Sequence, residues 1–360
     1  MKPLSFLMIA VVAACLGITS KPEGDAQERK REPERREIWL APQSLMPPPL
    51  AQDADFMDMF TPEAPWKFAA AHTQVFKLYA SFLGHTAQER VNAVVADLKR
   101  RNIAIALESG VMDVANTPPP PCGGLGIIEG YGTPAQARRI SEMIKAAGGT
   151  IKYLDMDEPL YFGHYSSKPH ACHSPINVVL EQIAPTLNAY IQEFPDIIIG
   201  DIEPTRFPAY VNWRTDFSAW AKGFKIAMKR PLTYIHLDIP WTDDGRRVPG
   251  ADRPSKEPGD ALEFYGYMQE LQLQGLIGKI GIIYDGTPND KTDAAWVKDA
   301  QDHVLLLERQ QGLRPDQDIF QSWMPQPSHA LPESQPDTLT SLIDWYFSPA
   351  TQRLISTREK

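Results

Sequence analysis

The sequence predicts a single (β/α)8 barrel of the TIM type. Three observations carry that reading. Eight short apolar runs recur along the chain; each is followed, after a loop, by a segment able to form a helix; and the loops after the runs are long while those before them are short. The runs are 38–41 (IWLA), 75–80 (VFKLYA), 103–109 (IAIALES), 151–159 (IKYLDMDEP), 197–204 (IIIGDIEP), 232–241 (LTYIHLDIPW), 280–287 (IGIIYDGT) and 318–323 (DIFQSW).

The intervening segments carry helix punctuation. The stretch 42–70, rich in Pro and Met, reads as a first loop and an irregular first helix. Thr86 and Glu89 fit a capping box before a helix reaching about Arg101. Thr133, Pro134 and Gln136 start the next, which ends near Gly148. Ser174-Pro175 places a cap and an N1 proline before a helix that Pro185 interrupts. Asp216, Asp260 and Asp290 stand near later helix starts, and Asp337 is placed to cap the last helix. The loops 109–132, 159–174, 204–212 and 240–258 are long and rich in Pro, Gly and His, all after strands. That asymmetry is what a barrel with its site at one mouth requires.

The barrel is expected over 37–350, with 351–360 a C-terminal tail. At 360 residues and 43% hydrophobic content, the chain has ample apolar material for one large core. A net charge of −9 argues against a nucleic-acid partner. Residues 1–20 have the layout of an export signal: Lys2, then an apolar stretch from Leu4 to Val12, then small residues and Cys15. The run Val12-Ala13-Ala14-Cys15 resembles a bacterial lipobox, which would make Cys15 a lipidated membrane anchor; an ordinary signal peptide is the alternative. Residues 21–36 carry many charges and no large apolar side chain, as a solvated tether does. The expected location is therefore periplasmic or at the cell surface.

Beyond Cys15 only Cys122 and Cys172 remain. They fall in the loops after the third and fourth runs, which a barrel sets side by side, so a disulfide is expected in an oxidising compartment. Zinc held by Cys122, His170, Cys172 and His173 is a weaker alternative, because the spacing matches no standard zinc motif.

The strand ends are acidic. Asp155-Met156-Asp157-Glu158-Pro159 puts three carboxylates within four residues. Alternation sends Asp155 and Asp157 to one side, and Pro159 frees Glu158 to reach over the mouth. Crowded carboxylates raise one another's pKa, as a general acid at neutral pH needs. Asp201-Ile202-Glu203-Pro204 repeats the pattern on the neighbouring strand and sets Glu203 near Glu158. Glu203 and Asp238 are the candidate opposing carboxylates. Trp39, Glu108, Asp201, His236, Trp241, Tyr284, Asp285, Gln321 and Trp323, all at strand ends or near them, are candidate substrate contacts. Any one acid or aromatic could be an ordinary satisfied core group; several sharing a rim suggest a carbohydrate cleft, with aromatic faces against sugar rings and acids on hydroxyls.

On these residues the chain resembles the secreted (β/α)8 glycoside hydrolases. Asp157-Glu158-Pro159 is similar to the Asn-Glu-Pro that ends strand four in the large retaining clan. The resemblance implies that Glu158 is the proton donor. It departs from that clan at strand seven, where Asp285 stands in place of a nucleophilic Glu, and at Asp157, which replaces the Asn. The segment 320–333 (FQSWMPQPSHALPE) also looks like a terminal loop of a carbohydrate enzyme. The leading expectation is an exported glycoside hydrolase acting on a polysaccharide or oligosaccharide with two carboxylates and no cofactor. A metal-dependent hydrolase and a non-catalytic sugar-binding barrel for surface polysaccharide are the alternatives.

Overall fold

Every one of the eight apolar runs forms a strand in the computed structural model, which describes residues 36–43, 55–114, 129–168, 170–243, 245–246 and 250–357. The strands are β1 Glu37–Ala41, β2 Val75–Tyr79, β3 Ala104–Ser109, β4 Ile151–Asp157, β5 Ile198–Pro204, β6 Leu232–Asp238, β7 Ile277–Tyr284 and β8 Gln317–Gln321. All pair in parallel with their sequence neighbours, and β1 pairs with β8 to close the barrel. The architecture is a single closed eight-stranded barrel wrapped by helices. The export segment, the tether up to residue 35 and Cys122 lie outside the described residues.

The helices are α1 Lys67–His72, α2 Ala80–His85, α3 Gln88–Arg101, α4 Pro134–Ala146, α5 Ile176–Glu193, α6 Trp213–Met228, α7 Gly259–Leu273, α8 Asp293–Val304, α9 Leu339–Phe347 and α10 Pro349–Ser356. Thr133 caps α4 as its sequence predicts, accepting from the Gln136 N–H at 3.2 Å. Three expected caps differ. Thr86 ends α2 instead of starting α3, whose N-cap is Ala87 with no side-chain bond. Thr338, not Asp337, is the N-cap residue of α9, and Pro175 that of α5. Each of these starts lies one residue from its expected place, the usual precision of a cap read from sequence. Part of the expected tail is the helix α10, capped by the Ser348 hydroxyl and anchored by buried Thr351 and Ile355.

The barrel's inside is polar at both ends and aromatic at its waist. Trp39 packs against Tyr153, Tyr234 and His236 with ring centroids 4.9, 5.5 and 4.8 Å apart. Two glycines make this possible. A Cβ on Gly200 would lie 2.1 Å from the Tyr234 ring, and one on Gly281 would lie 2.5 Å from His236. Below the waist, Glu37 accepts from Gln317 at 2.6 Å and Tyr153 at 2.9 Å. Outside the strands, apolar side chains such as Leu107, Leu154, Ile199, Ile235 and Ile282 pack in the large core cluster that also takes in the helices.

Candidate active site

The mouth is built by inward-facing residues at the C-terminal ends of the strands. In β4 the pleat turns Asp155 and Asp157 inward, in line with Tyr153 of the waist. Asp157 reaches the rim and keeps part of its surface exposed; Asp155, one layer lower, is fully buried. Glu158 leaves the strand with φ 47°, a left-handed conformation costly for a residue with a side chain. Its N–H still donates to the Ile202 carbonyl at 3.1 Å, which fixes the departure point. Asp238 stands at the end of β6, half-buried like Asp157 and Glu158. Glu108 is the last inward-facing residue of β3, and Gln321 of β8 donates to it at 3.4 Å. Asp285 follows β7 and is 3% exposed.

Electrostatics divide these acids. Burial, then Glu108 and Glu129, push the Asp157 carboxyl well above its ordinary range, against the pull of Lys77. Burial, then Asp238 and Glu129, do the same to Glu158, with Arg206 opposing. Burial also raises Asp238, to about 6, and Arg206 and Lys77 restrain that rise. Asp285 is pushed up by burial and by Asp238. Asp155 is the exception. Burial works against its charge, but His236 and Lys77 outweigh it and hold the carboxyl at about 2.

Lys77 is the residue the sequence reading missed. It sits in the middle of β2, fully buried, with its Nζ 2.7 Å from Glu108 and 3.3 Å from Asp155. Its trace in the sequence is a lysine inside the apolar run 75–80. Arg206, whose Nη1 donates to the Tyr161 hydroxyl at 3.3 Å, is the second cation near the rim. Exposed Glu129 and half-buried Tyr79 complete the surroundings.

Several expected contacts lie elsewhere. Asp201 faces outward and accepts from the Trp220 indole of α6 at 2.7 Å. Glu203 also faces outward; its two oxygens accept from the backbone N–H groups of Leu160 at 2.7 Å and Tyr161 at 3.1 Å. It therefore secures the turn that follows Glu158 and is not a rim carboxylate. Tyr284 points to the helical layer and donates to Glu308 at 3.1 Å. Trp39 and His236 are inside the barrel but fully buried below the rim. Trp241 lies flat on His303, with ring centroids 3.6 Å apart. His303 is tied to the Asp285 carbonyl at 2.7 Å, so the stack pins the loop after β6 to the end of β7. Trp323 is 46% exposed after β8. Glu333, in the terminal loop, accepts from the first amides of α1 and docks that helix. Among the described residues, no group of three or more His, Cys, Asp or Glu side chains is placed to hold a metal ion.

No family model matches the sequence, and no curated protein does. Solved structures match in fold. A glucosidase from Croceicoccus marinus aligns with 90% of this chain and 69% of its own, at 11% identity and a TM-score of 0.47. A family 39 glycoside hydrolase from Bacteroides cellulosilyticus WH2 aligns with 80% of this chain and 57% of its own, at 12% identity and a TM-score of 0.42. Morphinone reductase aligns with 69% and 75%, at 11% identity and a TM-score of 0.40. Glycoside hydrolases are among the structures this chain is similar to, and so is a reductase. The likeness is one of fold.

Proposed function

We propose that the protein is a glycoside hydrolase whose general acid is Glu158, with Asp238 as the opposing carboxylate. The observation that carries the reading is the partly exposed set Asp157, Glu158 and Asp238 on one rim, two strands apart, with protons held above the ordinary carboxyl range. A glycosidic oxygen leaves poorly unless protonated, so one group must keep its proton near neutral pH. Glu158 meets that need through burial and its acidic neighbours. Asp238, at about 6, is largely ionised at neutral pH and can direct water or attack the sugar. Asp157 adds to the repulsion that keeps the proton on Glu158.

The substrate is a polysaccharide or oligosaccharide outside the cytoplasm, with the chain exported and held by the tether, through a lipidated Cys15 or after cleavage of an ordinary signal. A Cys122–Cys172 bridge would restrain the loop before Glu129 against the loop after β4. Cys172 is already held there by Tyr131, whose hydroxyl lies 3.3 Å from the Cys172 Sγ and accepts from the Cys172 N–H at 3.2 Å.

The test is reducing-end release across a panel of bacterial exopolysaccharides and plant glucans. Glu158→Gln keeps the shape and removes the proton, and should slow cleavage of a natural glycan by about 10²–10⁴-fold. The loss should shrink for substrates with activated leaving groups. Binding without turnover on any glycan would instead favour the sugar-binding barrel. Full activity of Glu158→Gln beside an inactive Asp157→Asn would move the acid to Asp157.

A further inference from the structure

A chain of polar contacts runs through the barrel from mouth to floor. Glu108 Oε2 meets Lys77 Nζ at 2.7 Å; Lys77 Nζ meets Asp155 Oδ2 at 3.3 Å; Asp155 Oδ2 meets His236 Nδ1 at 3.5 Å. His236 Nε2 then meets Gln317 Oε1 at 3.1 Å, and Gln317 donates to Glu37 at 2.6 Å. Barrel interiors are ordinarily filled by branched apolar side chains. A lysine sealed in such a place is costly unless its charge is answered, and here two carboxylates answer it. Lys77 lies between the inward-facing Val75 and Tyr79 of β2 and is fully buried, whereas the side chain of its partner Glu108 is 14% exposed.

We propose that Lys77 is a positioning residue of the mouth: a cation sealed beneath the rim that fixes Glu108 in one orientation as an acceptor for a substrate hydroxyl and supplies the positive charge against which the rim carboxylates of β4 and β6 work. The proposal rests on the glycosidase reading for its substrate and on the ion-pair geometry for its electrostatics. The groups in contact with Lys77 are Glu108 from β3 and Asp155 from β4, with His236 beyond Asp155, and its charge also acts on Asp157 of β4 and Asp238 of β6. Lys77 draws both Asp157 and Asp238 toward the charged form. Arg206 does this for Glu158 and Asp238. The two cations thus act on different members of the rim and share Asp238.

The experiment compares wild type, Lys77→Met and the double variant Lys77→Met/Asp155→Asn. The double variant also removes the buried charge of Asp155, which Lys77→Met leaves to His236 alone, so it keeps the test open if the single variant does not fold. Removing the cation disfavours the Asp238 carboxylate, so the acid limb of kcat/KM should move to higher pH by about one unit. KM should rise as Glu108 loses its fixed orientation. A merely structural lysine would lower activity at all pH values without moving the limb, and that result overturns the proposal. The same shift should appear in the ¹³C-carboxyl titration of Asp238, identified as the resonance lost in Asp238→Asn. That reading needs no substrate, so it separates failure of this proposal from failure of the glycosidase reading. In the wild type, one ¹⁵Nζ lysine signal should resist solvent exchange through pH 10. If every lysine exchanges freely, the sealed cation does not exist and the proposal falls.

Discussion

Strands β4 and β5 end in nearly the same words, Asp-Met-Asp-Glu-Pro and Asp-Ile-Glu-Pro, and use them in opposite directions. In β4 the two aspartates face the barrel interior. In β5 both acids face the helices, where Asp201 takes the Trp220 indole N–H and Glu203 takes two backbone amides. The register explains the difference. Asp155 lies beside Gly200 and Asp157 beside Ile202, so Asp201 and Glu203 share the parity of Met156, not of the aspartates. A one-residue difference in pleat separates a rim carboxylate from a structural acceptor. The two strands still cooperate: Glu203 holds the turn through which Glu158, freed by its positive φ, reaches the mouth.

The sharpest way to break this comparison is to neutralise acids on the mouth side and an acid on the helix side. Asp238→Asn or Glu158→Gln, on the mouth side, should lower kcat/KM by about 10²–10⁴-fold. The melting temperature of Asp238→Asn should stay level or rise, because that change relieves repulsion among the rim acids, and that of Glu158→Gln should stay level, because a neutral amide replaces a carboxyl that holds its proton. Asp201→Ala should do the reverse. It strands the buried Trp220 N–H and should cost about 1–3 kcal/mol of stability, with kcat retained. Parallel calorimetry and glycan turnover decide the matter. If Asp201→Ala abolished turnover in a folded protein, the assignment of β5 to the scaffold would be wrong.

The pH dependence of stability gives a second contrast, inside β4 and β6. Asp238 is raised in the folded state to about 6, above its ordinary 3.8. The folded state therefore binds more protons between those values, and this group's contribution to stability is fully present below the lower one and is lost as pH rises toward the higher. Asp155 is depressed to about 2, so its contribution is present above 3.8 and is lost as pH falls toward 2. Melting temperature followed from pH 3 to 7 should thus decline less steeply between about pH 4 and 6 in Asp238→Asn than in the wild type. An unchanged slope would remove Asp238 from the strained set.

The strands were legible because each is a compact apolar run with a helix start behind it. The inward pair Asp155 and Asp157 was legible too, since Tyr153 and the acids alternate cleanly with Leu154 and Met156. Strand β5 was not. Ile198, Ile199, Gly200 and Ile202 are apolar or small on both faces, so hydrophobic pattern does not say which parity is inside. The clash a Gly200 Cβ would make with Tyr234 and the Trp220 bond to Asp201 reveal it, and both join β5 to other elements of the chain. Tyr284 was misplaced for the same reason, as Ile282 and Ile283 are both apolar and its partner Glu308 is remote in sequence. Lys77 escaped notice because a single lysine in a strand reads as an edge or surface residue, while its partners Glu108 and Asp155 come from other strands.

The smallest expected effect concerns the aromatics, which split as the acids do. Trp39 and Trp323 were both expected to touch sugar. Trp39 is fully buried in the waist, whereas Trp323 is 46% exposed where the chain leaves β8. A sugar ring can stack only on a face that solvent reaches. Trp323→Ala should therefore weaken substrate binding by about 1 kcal/mol, the scale of a single aromatic contact, and raise KM roughly fivefold. The turnover number should hold, because the indole is not among the acids that move protons. Trp39→Phe should leave KM untouched, since substrate never reaches that ring, and should register as a lower melting temperature from the cavity it opens. Steady-state kinetics on the best glycan of the panel separate the two. A KM change in Trp39→Phe without a change in Trp323→Ala would mean that the cleft runs down into the barrel instead of across its rim.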